Sequence, residues 1–348
     1  MENEEEIDLI LINHLPEYTG IGRYVKNVAE HVEGRYQIIN VIFNSYLSGP
    51  FSVGEIVSGS GSLVANVFLR KFVYRKLRQK LEHLKASGGH IHYAESAMPR
   101  LTKSTDREIV TFHDIFPLEE ERDALDFKQS LYRRYTKTFL EYKNAIAISE
   151  TTKTSVLEAG FTGDIEVIYD MVNPIFKPPF DKNILRQKYS IDSDKRNIIS
   201  VSTDDKRKNL SLLRNIIEKI GSEFSLTRVG PSIGKGKTFV EVGEQELVEL
   251  YQAADVFLLT SVREGFNFPV VEAMACGLPV VVSDIPIMRE IVGNAGLLCD
   301  LNDPDSFVEG IYEATDNFSY YSPKSIQRSE KFSFQIFKER METYYDRL

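Results

Sequence analysis

Short apolar runs and longer amphipathic stretches alternate along the chain. In the first half the runs are IDLILIN (7–13), YQIINVIF (36–43), HIHYAES (90–96), EIVTFHD (108–114), NAIAISE (144–150) and IEVIYD (165–170), with helical-period segments between most of them. Strands alternating with helices in this way predict βαβ units and a parallel sheet. Pro174, Pro178 and Pro179, within NPIFKPPFDKN, then stop regular structure and mark a domain boundary. Strand-like runs resume as NIISVST, FSLTRVG, TFVEVG, VFLLTS, LPVVVSD and AGLLCD, separated by helical segments such as KNLSLLRNIIEKI and EQELVELYQAA. The second half therefore repeats the first. The expected architecture is two doubly wound α/β domains, 1–172 and 173–325, with a closing helix in 326–348 packing back on the first. Such domains bind ligands at the carboxyl ends of their strands, and facing each other they leave a deep crevice.

Length agrees with this division, since 348 residues at ~100–200 per domain give two cores. With 27% charged and 42% hydrophobic residues the composition is that of an ordinary globular protein, and the net charge of -9 argues against nucleic acid as a partner. Cys276 and Cys299 fit no metal-ligand spacing and lie in apolar runs, as reduced buried thiols do, which favours the cytoplasm. MENEEEIDLI has acids where a signal peptide carries positive charge, and no run reaches the ~18 apolar residues of a membrane span. One segment departs from the acidic average. Residues 68–85, FLRKFVYRKLRQKLEHLK, carry seven Lys or Arg against the single Glu82, with Leu69, Phe72, Val73, Leu77, Leu81 and Leu84 at helical spacing. It is either a helix packed on the sheet with a solvated basic face, or one that also lies against anionic lipid at the inner face of a membrane.

Candidate chemistry concentrates after VFLLTS, where EGFNFPVVEAMACGLPVVVSDIP sets Glu264 and Glu272 eight positions apart. Pro269 opens a helix and Gly277 closes it, which places Glu264 in a loop and Glu272 in the first helical turn, whose amides favour anions. From spacing, two readings stand: Glu272 binds a ribose and Glu264 a second polyol, or Glu272 favours the helix dipole and Glu264 is solvated. EYTGIGRY follows the first strand, with Gly20 and Gly22 allowing a close backbone approach as a helix begins. His113 and Asp114 end a strand on the ligand side, although a lone histidine is more often structural. His90 and His92 share a strand face without a third ligand, so no metal site is expected there. Lys206, Arg207 and Lys208 form a basic turn before a helix.

REGFNFPVVEAMACGLPVVVSDIPIMREIVGNAGLLCD (263–300), with TGIGRY, TFHD, AISETTK, VIYDMVNPIFKPP and KRKNL in that family's order, resembles the signature of retaining glycosyltransferases of family four, the group 1 glycosyl transferases, which have the GT-B fold. The resemblance implies a transferase that moves a hexose from a UDP- or GDP-sugar to an acceptor hydroxyl, with retention and with neither metal nor cofactor. The acceptor would be a glycan or a lipid-linked one. It implies further that Glu272 holds the donor ribose, and that Glu264, Gly265 and the loop amides of Phe266, Asn267 and Phe268 face the donor sugar. Gly22 would lie by the diphosphate, His113 at the sugar, and Lys208 with Arg207 against the leaving diphosphate. His113, Glu264 and Lys208 are the catalytic candidates. Two positions depart from the pattern: Asn267 stands where Gly is frequent, and Ser202 where an Arg precedes Lys208 by six residues. Arg207 or Arg263 is the expected replacement for that charge. Ser202 keeps open a non-catalytic or donor-altered nucleotide-sugar binding protein. A glycoside hydrolase with Glu264 and Glu272 as its acid pair fits a loop and adjoining helix poorly.

Overall fold

The computed structural model describes residues 9–13, 15, 19–31, 36–40, 56–58, 61–63, 70–98, 100–102, 105–119, 127–179 and 181–348. The acidic N-terminal run and residues 68 and 69 lie outside them, as do the side chains of 70–74, 76 and 77. The chain divides into two compact units, Met1–Tyr169 with Phe337–Leu348, and Asp170–Ile336.

The first unit contains β1 (Leu9–Asn13), α1 (Gly20–His31), β2 (Tyr36–Asn40), β3 (Ile56–Ser58), β4 (Gly61–Leu63), α2 (Arg70–Ala86), β5 (His90–Tyr93), β6 (Glu108–Phe112), α3 (Phe116–Glu119), α4 (Phe127–Phe139), β7 (Asn144–Ala147), α5 (Glu150–Glu158) and β8 (Asp164–Val167). Six of its strands form a parallel sheet ordered β2-β1-β5-β6-β7-β8. All five residues of β1 and of β6 are buried, as expected of parallel strands covered on both faces. The antiparallel pair of β3 and β4 has no counterpart in the sequence reading, because three-residue strands are too short to show a period.

Over the part described, helix α2 packs on the sheet of its own unit. Leu81 and Leu84 join the core with Ile91 and Val110. Lys85 turns inward to the fully buried Glu108, Nζ to Oε1 2.8 Å, and Arg78 Nε donates to the Leu101 carbonyl at 3.0 Å. Tyr142 also donates to Glu108, at 2.7 Å, so the buried carboxylate is held from several sides. Arg75, Arg78 and Lys80 remain on the exposed face.

The second unit repeats the plan with α6 (Lys182–Lys188), β9 (Arg196–Val201), α7 (Leu210–Lys219), β10 (Phe224–Val229), β11 (Lys237–Phe239), α8 (Glu244–Ala253), β12 (Val256–Leu259), α9 (Phe268–Ala275), β13 (Val280–Ser283), α10 (Pro286–Val292), β14 (Leu297–Cys299), α11 (Pro304–Asp316) and α12 (Phe318–Ser329), followed by α13 (Phe334–Asp346), which carries the chain into the first unit. Its sheet is ordered β11-β10-β9-β12-β13-β14, all parallel. Residues 326–336 pack within this unit. Arg328 Nε donates to the Ile291 carbonyl at 2.8 Å, and the Phe332 ring meets Phe266 edge-on at 5.4 Å. From α13, Tyr344 donates to the Ala145 carbonyl at 3.3 Å and Arg347 pairs with Glu166.

Each sheet has a switch point where the strand order reverses, between β1 and β5 in the first unit and between β9 and β12 in the second. Ligand sites of open α/β sheets lie at the carboxyl ends of those strands.

Candidate functional site

At the switch point of the second unit, two loops carry most of the residues singled out by the sequence. After β9 the chain enters a single 3-10 turn, Lys206–Lys208, capped by Asp205, whose Oδ1 accepts from Arg207 N at 3.0 Å. The turn is tied to the loop after β12. Thr260 Oγ1 donates to the Lys208 carbonyl at 3.0 Å, and Val262 N to the Arg207 carbonyl at 2.8 Å. This anchoring brings Arg207, Lys208 and Glu264 together: Lys208 Nζ lies 2.5 Å from Glu264 Oε1, and Arg207 Nη1 is bonded to Oε2. Glu264 is 7% exposed, which removes the reading of a solvated loop acid. Burial pushes its pKa up, but the Lys208 and Arg207 charges outweigh this and hold the carboxyl below the ordinary range. Burial also lowers Lys208, against the pull of Glu264. Arg207 additionally faces Asp205, Nε to Oδ2 3.3 Å, so its charge is already committed to two carboxylates. It is therefore not a spare cation for the position occupied by Ser202.

Helix α9 begins at Phe268 with Pro269 in its first turn, and Gly277 follows its end at φ +78°. The N-cap is Asn267, at φ 89° and ψ 80°, with Oδ1 accepting from Val270 N at 3.1 Å. Asn tolerates this left-handed conformation better than other residues with a Cβ, so the cap survives without Gly. Because the helix starts one residue before Pro269, Glu272 is its fifth residue and sits beyond the first turn, contrary to the sequence expectation. It is 1% exposed and accepts from Tyr251 OH at 3.0 Å. A helix-dipole role in solvent is thus excluded. The Phe266 ring is buried and meets Phe268 edge-on at 5.6 Å, which fixes the loop through Gly265 to Phe268.

In the first unit, Thr19 caps α1, its Oγ1 accepting from Gly22 N at 3.0 Å, so Gly22 sits in the opening turn. Tyr24 is fully buried two residues on. Its hydroxyl lies 2.9 Å from Thr111 Oγ1, and its ring stands edge-on to His113 at 5.0 Å. His113 follows β6 and donates from Nε2 to the Ala94 carbonyl at 3.0 Å. Burial depresses its pKa to about 4, so the ring is neutral at pH 7 with the proton on Nε2. His92 is bonded at both nitrogens, to Tyr345 OH and Thr111 Oγ1, each at 2.7 Å. It is a core histidine that ties α13 to the sheet. Among the described residues no cluster of three His, Cys, Asp or Glu is placed to hold a metal ion.

Sequence reasoning missed Asp205, Thr260 and Tyr251. Asp205 had a readable signal, an acid just before a basic turn; the other two reach the site only through sheet register and side-chain direction.

Two parallel-sheet units of this kind are the plan of the GT-B fold. Residues 18–175 match Glycosyltransferase Family 4, and residues 195–317 match Glycosyl transferases group 1. The chain belongs to this family of glycosyltransferases. It is 36% identical over 97 residues to O-antigen chain mannosyltransferase B of Escherichia coli, covering 27% of this chain and 26% of that protein. Over 240 residues it is 27% identical to O-antigen chain mannosyltransferase RfbU of Salmonella typhimurium, covering 62% and 64%. The chain thus spans about a quarter to just under two thirds of the length of these relatives. Among solved structures, sucrose-phosphate synthase from Thermosynechococcus elongatus superposes with a TM-score of 0.71 at 17% identity over 97% of this chain and 98% of that one. Anabaena HepE in complex with UDP and glucose gives 0.72 at 16% identity over 98% and 100%. These likenesses concern the fold. No helix among the described residues is long and apolar enough to cross a membrane.

Proposed function

We propose that this protein transfers a hexose from a nucleotide-sugar donor to an acceptor hydroxyl, with retention at the anomeric carbon. The observation that carries this reading is the buried Glu264 held by the partly exposed Arg207 and Lys208 at the switch point of the second unit, inside the family match. The UDP and glucose in the HepE complex, and the mannosyltransferases among the relatives, favour a UDP- or GDP-sugar. In the reaction the acceptor oxygen bonds to the anomeric carbon as the bond to the diphosphate breaks. The electron pair leaves with the phosphate oxygen, which takes the acceptor's proton. Lys208, with Arg207 beside it, donates hydrogen bonds to the departing phosphate oxygens without adding net charge, Glu264 orients them and receives donor-sugar hydroxyls, and Glu272 with Tyr251 holds the ribose. His113, neutral and fixed at Ala94, is assigned to the sugar hydroxyls. Gly22 and the loop amides of Gly265, Phe266, Asn267 and Phe268 complete the donor contacts.

No step in this scheme uses a metal, so turnover persists in excess chelator. The glycan or lipid-linked acceptor is reached at the inner face of a membrane, where the exposed Arg75, Arg78 and Lys80 of α2 meet anionic headgroups. Absence of co-sedimentation with anionic vesicles at low salt removes that part. The direct test is a panel of UDP- and GDP-sugars with lipid-phosphate and simple glycan acceptors, followed by nucleoside diphosphate release and thermal stabilisation. A donor that stabilises the protein and is consumed supports the transferase. A donor that binds tightly and is never transferred supports the second reading, a donor-altered binding protein, which Ser202 favours.

A further inference from the structure

Ser202 directly follows β9 at the switch point, and a buried guanidinium stands behind it. Arg228 Nη2 donates to the Ser202 carbonyl at 2.6 Å and to Ser202 Oγ at 3.0 Å. Nη1 donates to the carbonyls of Ser200 at 3.0 Å and Val229 at 2.9 Å, and Nε to that of Pro231 at 3.2 Å. All five N–H groups of the fork are therefore committed to neutral oxygens. Among the described residues no carboxylate meets this fully buried side chain, and burial lowers its pKa to about 10, which leaves it charged at neutral pH. An interior position of a parallel strand is normally apolar, and a buried charge with no counter-charge is costly to keep. Gly230, at φ +119°, permits the close approach, since a Cβ there would collide with the Ser202 carbonyl.

Arg207 and Lys208 do not supply surplus charge, because Asp205 and Glu264 make that cluster formally neutral. We propose that Arg228 provides, from β10, the positive charge for the donor diphosphate that the family places at residue 202, acting through Ser202. With its oxygen accepting from the guanidinium, the half-exposed Ser202 hydroxyl directs its own proton outward as a polarised donor to a phosphate oxygen. Arg228 is thus a positioning residue and Ser202 the contacting group. This assignment rests on the nucleotide-sugar reading and deepens it.

Calorimetry with UDP and GDP, and with the corresponding uncharged nucleosides, tests the assignment. Arg228→Gln is expected to weaken diphosphate binding at least about tenfold, as loss of a charge-assisted contact does, with nucleoside affinity held within about twofold. Ser202→Ala is expected to act in the same selective direction by about fivefold. Moving the cation, as Arg228→Ile with Ser202→Arg, is expected to recover most of what Arg228→Ile loses, which a purely structural role would not permit. The assignment is overturned if diphosphate affinity in folded Arg228→Gln stays within about twofold of wild type, if nucleoside and diphosphate weaken in parallel, or if the moved cation restores nothing. Should Arg228→Gln not fold, Ser202→Ala decides by the same comparison. Wild-type protein that binds neither diphosphate overturns the donor reading itself, a result distinct from any of these.

Discussion

Glu264 shows how one side chain changes meaning between sequence and structure. Its position eight residues before Glu272 suggested a sugar contact, and that role stands as a proposal; the paired cations around it were visible only as a basic turn far along the chain. Glu264→Gln leaves the largely buried Lys208 without its carboxylate, while Arg207 keeps Asp205, and is expected to cost about 2 kcal/mol in denaturant unfolding as well as most of the turnover. A variant as stable as wild type would show that solvent replaces the pair. Glu272→Ala is expected to weaken donor binding by about 1.5–3 kcal/mol, since a charged hydrogen bond to ribose is lost. Unchanged affinity by calorimetry removes the ribose role. Asn267 is the third case. Its Nδ2 is buried without a hydrogen-bond partner while Oδ1 caps α9, at a backbone angle that Gly adopts without strain. Asn267→Ala, losing the cap and keeping the strain, should be about 1 kcal/mol less stable than Asn267→Gly.

Elements were legible in proportion to their period and punctuation. Helix α9 could be read from Pro269 and Gly277, but its start at Phe268 depended on Asn267 acting as a left-handed cap, which no period reveals. Helix α2 was readable as a basic amphipathic segment, whereas the inward turn of Lys85 followed from Glu108 lying in the core. Helix α13 carries Phe337, Met341 and Tyr344 on its buried face, and Ile336 on its outer one at 43% exposure. Met341→Ala should therefore cost about 3 kcal/mol and Ile336→Ala less than about 0.5, as cavity formation and surface truncation differ. Equal midpoints in urea would contradict this orientation of the helix.

For the molecule as a whole, buried histidines tie stability to pH. Burial depresses His113 to about 4 and His92 to about 3, from an ordinary 6.5. Between those values the unfolded chain binds protons that the native protein does not. Stability from these groups is therefore complete above pH 6.5 and falls as pH drops toward 4, by a few kcal/mol for the two together. Glu264, held below its ordinary range, adds a loss at more acid pH as its carboxyl protonates. Urea unfolding from pH 7.5 to 4.5 measures the slope. A flat profile between pH 6.5 and 5 would mean that these histidines take up protons in place.

The sequence by itself determined the two α/β repeats, the succession of most strands and helices along the chain and the loops that carry candidate chemistry. Apolar runs, Pro and Gly act locally, and their physical effect is fixed by near neighbours in the chain. Tertiary structure decided which charges are spent on one another. Arg207 and Lys208 meet Glu264 more than fifty residues away, and Arg228 reaches Ser202 only because β10 lies beside β9 in register. Such pairings depend on side-chain direction and burial across parallel strands, and at that range the spacing of residues along a chain carries no information about them.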